Sequence, residues 1–216
     1  VSQSCKAMLQ EKLPEIESKL GCIPNMLDAV AIGQKAGNSP YTGDILHIVS
    51  VGRLAPEKHF ENVFPAAKAL RQAGIDFAWH VIGDGFERSK LEALIAENDL
   101  KDHVILDGSK TNPYPYMKYA DLFVHPSYVE SQGLTVLEAM ALGVPCVVTK
   151  SRGPCEFIED GINGLLTEQS PESLTEKVLS ILTDKTLFQS IKENTVCPEQ
   201  FAPDRVMKQI EELIDG

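Results

Sequence analysis

The chain has 216 residues, 43% hydrophobic and 24% charged, the balance of a soluble globular protein with room for a sizeable core. Its formal net charge of −11 argues against a nucleic-acid groove or an anionic membrane surface as the main partner. A small anionic ligand would need a local cluster of cations. The five cysteines (Cys5, Cys22, Cys146, Cys155 and Cys197) are odd in number, widely spaced and without a C-x-x-C pair. That pattern points to reduced thiols in a cytosolic protein rather than to a disulfide framework or a zinc site. No apolar run reaches the length of a membrane span, and the first twenty residues carry charges where a signal peptide would be apolar. The first residue is Val1 rather than Met, so the chain is expected to be a piece of something longer.

Residues 5–20 are compatible with a helix that Pro14 breaks or restarts. "GCIPNMLDAV" and "GQKAGNSPYTGD" then read as loop or linker, being rich in Gly, Pro, Asn and Ser. From residue 45 short apolar runs alternate with longer helical patterns. Strands are expected at 45–51, 77–83, 103–108, 121–127, 144–149 and 163–168. Helices are expected at 61–74, 87–98, 113–120, 133–143 and 153–160, then at 171–184, 185–194 and 203–215. Val63, Phe64, Ala67 and Leu70 share one face of the first of these. Pro65 is tolerable there only near the first turn. Short, continuously apolar strands alternating with helices predict an α/β domain, a doubly wound parallel six-stranded sheet of Rossmann-like type. In such sheets ligands sit at the carboxyl ends of the strands, where the strand order switches.

The loops at that edge hold the candidate chemistry. After the first strand, "GRLAPEKHF" offers Gly52 with two cations, Arg53 and Lys58. They are either solvated surface charges or, together, a diphosphate clamp. After the second strand, "IGDGFER" has Gly83 and Gly85, half of a G-x-G-x-x-G pattern whose third position is Arg88. A tight turn and a ligand contact are both open there. After the fourth strand, "SYVESQGLTVLEAMALGVPCVVT" places Glu130 in the loop and Gly133 at the start of a helix, whose free N–H groups suit an anion. Glu138 falls one turn from Leu134 and from Leu142, on or beside the buried face. Helix position leaves two roles open for it, a structural carboxylate or an acceptor for sugar hydroxyls. After the fifth strand, Arg152 and Glu156 are candidates to pair with each other in a scaffold segment.

Four stretches carry a family resemblance: "IVSVGRLAPEKHFENVFPAA", "HVIGDGFERSKLEALI", "VILDGSKTNPYPYMKYADLFVHPSYVESQGLTVLEAMALGVPCVVT" and "GPCEFIEDGINGLL". In order and spacing, over residues 45–168, they resemble the C-terminal nucleotide-sugar-binding domain of family 4 glycosyltransferases, the C-terminal half of the GT-B fold. The resemblance implies that Arg53 and Lys58 hold the diphosphate of a nucleotide-sugar donor, and that Glu130 contacts its sugar ring. It implies that Glu138 binds the ribose hydroxyls, and that backbone N–H groups of Gly133, Leu134 and Thr135 approach the diphosphate and sugar. Gly108, Ser109 and Lys110 would border the base. The chain departs from the family at Gln132, usually aromatic, and at His59, usually glycine.

The resemblance also implies a domain plan. Residues 1–40 would be the end of an N-terminal domain plus an interdomain linker, 41–200 the donor domain, and 201–216 a helix crossing back to a preceding domain that carries the acceptor site. The implied activity is retaining, metal-independent, hexosyltransferase-type transfer from a UDP-, GDP- or ADP-linked sugar to a hydroxyl of a glycan or lipid-linked acceptor. It needs no cofactor beyond the donor, and this chain alone would be inactive. Polysaccharide, lipopolysaccharide or capsule assembly in the cytoplasm is the implied setting, with no nucleic-acid partner. Peripheral membrane association of the full-length enzyme is compatible with it. A nucleotide-sugar epimerase and a non-catalytic nucleotide-sugar-binding module are the alternatives. A nicotinamide dehydrogenase is disfavoured by the incomplete glycine pattern.

Overall fold

A computed structural model describes residues 2–15 and 20–215. Its centre is a six-stranded, all-parallel sheet: β1 (Leu46–Val51), β2 (Phe77–Ile82), β3 (Val104–Gly108), β4 (Leu122–His125), β5 (Cys146–Thr149) and β6 (Leu165–Thr167). The spatial order is β3-β2-β1-β4-β5-β6. The expected doubly wound sheet is therefore present, with its switch point between β1 and β4. β2, β4 and β5 are buried along their whole length, as strands covered on both faces must be.

Helices coat both sides. The helices are α1 (Gln3–Lys12), α2 (Ala29–Lys35), α3 (Val63–Gln72), α4 (Arg88–Glu97), α5 (Tyr114–Lys118), α6 (Leu134–Ala141), α7 (Pro171–Thr183), α8 (Lys185–Asn194) and α9 (Pro203–Asp215). One core joins α3, α4, α7 and α8 to the sheet around Phe77, Trp79, Leu70 and Leu91. The other joins α2, α5 and α6 around Phe123, Leu137 and Met140. Pro65 sits in the first turn of α3, where its missing N–H would be unpaired anyway. α7 starts at Pro171 behind Ser170, whose hydroxyl accepts from Ser173 N at 3.1 Å. A buried polar chain ties the three central strands. Trp79 Nε1 donates to Ser50 Oγ at 3.1 Å, and Ser50 Oγ donates to Val124 O at 2.6 Å. Both groups are satisfied, so the chain rigidifies the middle of the sheet.

At the carboxyl edge the loops continue the pairing of their strands. Gly52 N donates to Ile82 O, Gly83 N to Gly108 O, and Leu54 N to Asp84 O, each at 3.0 Å. Gly83 has φ 150°, and a Cβ there would lie 1.8 Å from Gly52 O. The partial glycine pattern is thus a close approach of two loops, as the tight-turn reading requires.

Four expectations need correction. The stretch read as linker contains α2, capped by Asp28, whose carboxylate accepts from Ala31 N at 2.9 Å. Its seven residues are too few to show a helical period in sequence. α1 stops at Lys12, ahead of Pro14, and the later part of the expected helix, residues 16–19, lies outside the described residues. The helix expected at 153–160 is only a three-residue 3-10 turn, Pro154–Glu156. Finally, Glu156 does not pair with Arg152. Its carboxylate accepts from Gln3 N at 3.0 Å and from Ser4 N and Ser4 Oγ at 2.6 Å, the N-terminal turn of α1. Arg152 lies against Met8 Sδ instead. Among the described residues no helix is long and apolar enough to cross a membrane.

The segment before β1 is pinned by Tyr41. Its ring stacks on His47 at 4.0 Å between centroids, and its hydroxyl donates to Tyr116 O at 2.7 Å. Both ring nitrogens of His47 are buried without a partner. Burial, and then the neighbouring His80, depress the His47 pKa below its ordinary 6.5, against a smaller opposing pull from Asp121. A depressed folded value means the native state resists protonation. His47 therefore contributes stability above pH 6.5 that is lost as pH falls below it. Urea unfolding at about pH 7.5 and about pH 5.5 checks this. The midpoint should fall on acidification in the wild type and fall less in His47→Phe. An equal fall in both proteins contradicts the assignment.

Candidate functional site

The loop after β1 and the loop after β4 face each other across the switch point. A cleft of ≈ 420 Å³ opens between them, lined by Gly52, Arg53, Lys58, Glu130, Gly133, Leu134 and Thr135, with Asn25 and Gln132 at one side. A second cleft of ≈ 360 Å³ meets the first at Gly52 and Arg53 and reaches Gly83, Asp84, Ser109 and Lys110. The residues expected to hold a diphosphate and those expected to border a base therefore lie in adjoining hollows. Gly108 closes β3 just before the second cleft, with φ 71°.

Glu130 is the electrostatic centre. It is only 14% exposed in its side chain, and Oε1 accepts from both Lys58 Nζ and His125 Nε2, the latter at 2.9 Å. Burial alone would raise its pKa. The hydrogen bond and charge of His125, then those of Lys58, outweigh burial and hold it at about 2. His125 ends β4 and is itself buried. Both donors converge on Oε1, so the geometry leaves Oε2 open to a further donor such as a hydroxyl. Arg53 is 68% exposed and pairs with Glu57 Oε1 at 2.7 Å. Both candidate cations thus carry a carboxylate partner, and an incoming anion would compete with or share those partners.

The start of α6 is an uncapped helix terminus. Gly133 adopts φ 78°, and a Cβ there would come within 2.9 Å of Pro154 Cγ, so only glycine fits. No side chain caps α6, while Val136 N and Leu137 N both bond Gly133 O. Leu134 and Thr135 line the cleft at this end of α6, the positive end of the helix dipole.

Glu138 does not line either cleft. It is half-buried one turn into α6, where Leu134 is exposed and the buried residues are Val136, Leu137, Ala139 and Met140. It therefore flanks the core. Tyr114 Oη donates to its Oε1 at 3.1 Å. Burial raises the Glu138 pKa, and the Tyr114 bond opposes that rise. Tyr114 follows Pro113, which is part of the second cleft's wall. In its ionised form a carboxylate is acceptor-only, so it can take hydrogen bonds from neutral hydroxyls such as that of Tyr114.

Both departures from the family pattern have a physical account. His59 sits in the left-handed region at φ 48°, a strained position for a non-glycine residue. Its ring stacks on Tyr128 at 3.8 Å between centroids, which offsets that strain. Gln132 is buried, and its amide bonds the main chain of Asn25. Sequence reasoning missed His125, Tyr114 and Asn25. His125 had a signal, a polar residue closing an apolar strand at the ligand edge. Tyr114 and Asn25 had none, because their partners are remote in sequence.

Glu130 also sets an acid limit. Its ionised form contributes stability above its ordinary 4.5, and this is lost as pH falls toward about 2. The depression corresponds to roughly 3 kcal/mol at most. Wild type should exceed Glu130→Gln in stability at about pH 6, and the gap should shrink as pH falls to about 2.5, read by urea midpoints. A gap independent of pH contradicts the ion-pair assignment.

Comparison with known proteins follows the same outline. The family described as Glycosyl transferases group 1 matches residues 38–196. An uncharacterized glycosyltransferase of Methanocaldococcus jannaschii is 33% identical over 155 residues, 70% of this chain and 42% of that protein. The alpha-D-kanosaminyltransferase of Streptomyces kanamyceticus is 34% identical over 151 residues, 68% of this chain and 39% of that protein. The chain thus matches about two-fifths of the length of these relatives. The crystal structure of Anabaena Alr3699/HepE in complex with UDP and glucose superposes with a TM-score of 0.78 at 22% identity, covering 93% of this chain and 58% of that one. At that identity the likeness speaks for the fold.

Proposed function

The chain belongs to the group 1 glycosyl transferases, and from that premise we propose that it is the donor-binding part of a family 4, GT-B enzyme. The enzyme would be retaining, metal-independent and hexosyltransferase-type, moving a sugar from a nucleotide diphosphate to a hydroxyl acceptor. One observation carries the reading. Arg53, Lys58, Glu130 and the uncapped start of α6 meet in one cleft at the switch point of the sheet, in a chain that is otherwise acidic.

Each residue has a chemical task in this reading. As the bond from anomeric carbon to diphosphate oxygen breaks, negative charge grows on the diphosphate. Lys58, Arg53 and the Gly133, Leu134 and Thr135 N–H groups stabilise that charge with groups already in position. Glu130 orients Lys58 through Oε1 and offers Oε2 to a sugar hydroxyl. Glu138, with Tyr114, accepts from the ribose hydroxyls. Gly52 lets the ligand approach the backbone, and Gly108, Ser109 and Lys110 border the base in the second cleft. Donor nucleotides are UDP-, GDP- or ADP-linked, and no cofactor beyond the donor takes part.

The proposed plan assigns residues 1–40 to the end of a preceding domain and its linker, 41–200 to the donor domain, and 201–216 to a helix that contacts the preceding domain. Exposed Met207, Leu213 and Ile214 on α9 agree with such a contact. The acceptor, a glycan or lipid-linked glycan, would bind mainly on the preceding domain. This chain alone would bind donor without turnover. Polysaccharide assembly at the cytoplasmic side, with the full-length enzyme peripheral to a membrane, is the proposed setting.

Two measurements test the reading. Calorimetry of this chain with UDP, GDP and ADP should give weak binding to at least one, and heat from none of them refutes a preformed donor site. In the full-length enzyme, Lys58→Ala should lower kcat/KM by about a hundredfold or more, a loss on the order of 3 kcal/mol of transition-state stabilisation. Near-normal turnover would remove Lys58 from the phosphate role.

A further inference from the structure

Gln132 stands between Ser131 and Gly133 in the loop that lines the cleft, and it is 5% exposed. Its side-chain amide makes a reciprocal pair with a residue 107 positions earlier. Asn25 N donates to Gln132 Oε1 at 2.9 Å, and Gln132 Nε2 donates to Asn25 O at 3.1 Å. A primary amide carries both donor and acceptor, so it completes both main-chain groups of Asn25 at once. An aromatic side chain at 132 would complete neither, and a carboxylate would complete only the N–H. The loop that presents this amide is closely packed against the segment at Gly153. A Cβ on Gly153 would lie 2.4 Å from Gln132 Cα, and Gly153 N donates to Glu130 O at 3.0 Å.

Asn25 is a wall residue of the same cleft as Arg53, Lys58 and Glu130. Two residues on, Leu27 N donates to Phe201 O at 2.7 Å, and Leu27 is buried. The segment 24–27 is thus pinned at one end to the loop and at the other to the turn before α9. We propose that Gln132 is a positioning residue. Its amide clasp sets Asn25 as one wall of the donor cleft and couples occupancy of the cleft to the position of the 24–27 segment. The proposal rests on the donor-site reading above. It adds to it a residue outside the cation and carboxylate set and a segment from before the sheet.

Amide hydrogen exchange on this chain, with and without UDP, tests the clasp. The variants are Gln132→Met, which keeps the length and loses both bonds, and Gln132→Glu, which keeps the shape and loses only the donor to Asn25 O. Without UDP, exchange at Asn25 should quicken at least tenfold in Gln132→Met, while the strands exchange as in wild type. With UDP, wild type should slow at both 133–135 and 25–27. Gln132→Met should slow only at 133–135, with UDP affinity reduced about threefold to tenfold. Gln132→Glu should lie between the two, which keeps the test decisive if the Met variant folds poorly. Equal exchange at Asn25 in all three proteins overturns the clasp. Faster exchange at Asn25 with unchanged UDP affinity and undiminished protection of 25–27 overturns the positioning role. If UDP protects neither segment of the wild type, the donor reading fails and the coupling with it. The nucleotide-free comparison still decides the clasp on its own.

Discussion

The arrangement of the cleft depends on one carboxylate oxygen. Glu130 Oε1 accepts from Lys58, which comes from the loop after β1, and from His125, which ends β4. A carboxylate that is 14% exposed is tolerated only with strong partners. Those partners come from the two strands where the sheet order reverses. Removing Glu130 leaves the buried His125 ring and Lys58 without their shared acceptor. The same contact therefore closes the switch point, holds Lys58 toward the cleft and keeps Glu130 ionised. Paired groups of this kind are weak evidence for stability in general. Here they contribute position.

In the proposed reading, the pairing also bears on how an acidic chain would present an anion site. With a formal net charge of −11, long-range attraction does not draw anions in. The two cations of the cleft are already neutralised by Glu130 and Glu57. Binding a diphosphate would then rely on short-range features: backbone N–H groups at the α6 terminus and the shared Lys58. Lys58 is held by Glu130 before any ligand arrives, so little ordering of it would be needed when one binds. The cost would be competition from the cations' own carboxylates, which would favour modest affinity for a nucleotide and, in the proposed reaction, leave charge stabilisation for the point at which the leaving group becomes more negative.

Much of this was legible in the sequence, and for identifiable reasons. Continuous apolar runs such as "FAWHVI" and "CVVT" can be covered only on both faces, and each is a buried strand. Local rules also placed Pro65 in the first turn of α3 and Gly133 at the start of α6. What escaped was decided by contacts across long sequence separations. Glu156 has Arg152 four residues away, yet it caps α1 from about 150 residues' distance. Glu138 acquires Tyr114, and Gln132 acquires Asn25. α2 was missed because seven residues cannot display a helical period, although Asp28 caps it. Sequence periodicity reports the face that is buried, whereas the partner of a polar group on that face is a property of the assembled loops.

His59 and Gln132 illustrate how a site tolerates change. Each stands where the resembled family usually has another type of residue, and each is balanced by a contact rather than by relaxed geometry. At 59 the backbone keeps the left-handed conformation that glycine would adopt. The strain of a side chain there is on the order of 1 kcal/mol. Stacking on Tyr128, a contribution of about the same size, offsets it. At 132 the buried surface of an aromatic ring gives way to two hydrogen bonds with one main-chain residue. Exchanging apolar burial for an amide with one donor bond and one acceptor bond is nearly neutral in energy but specific in geometry. A ring packs against many surfaces, whereas this amide is satisfied at one position of Asn25. The substitution therefore narrows the positions open to that wall of the cleft. Whatever it contributes to function should appear in how the cleft is shaped more than in how stably the chain folds.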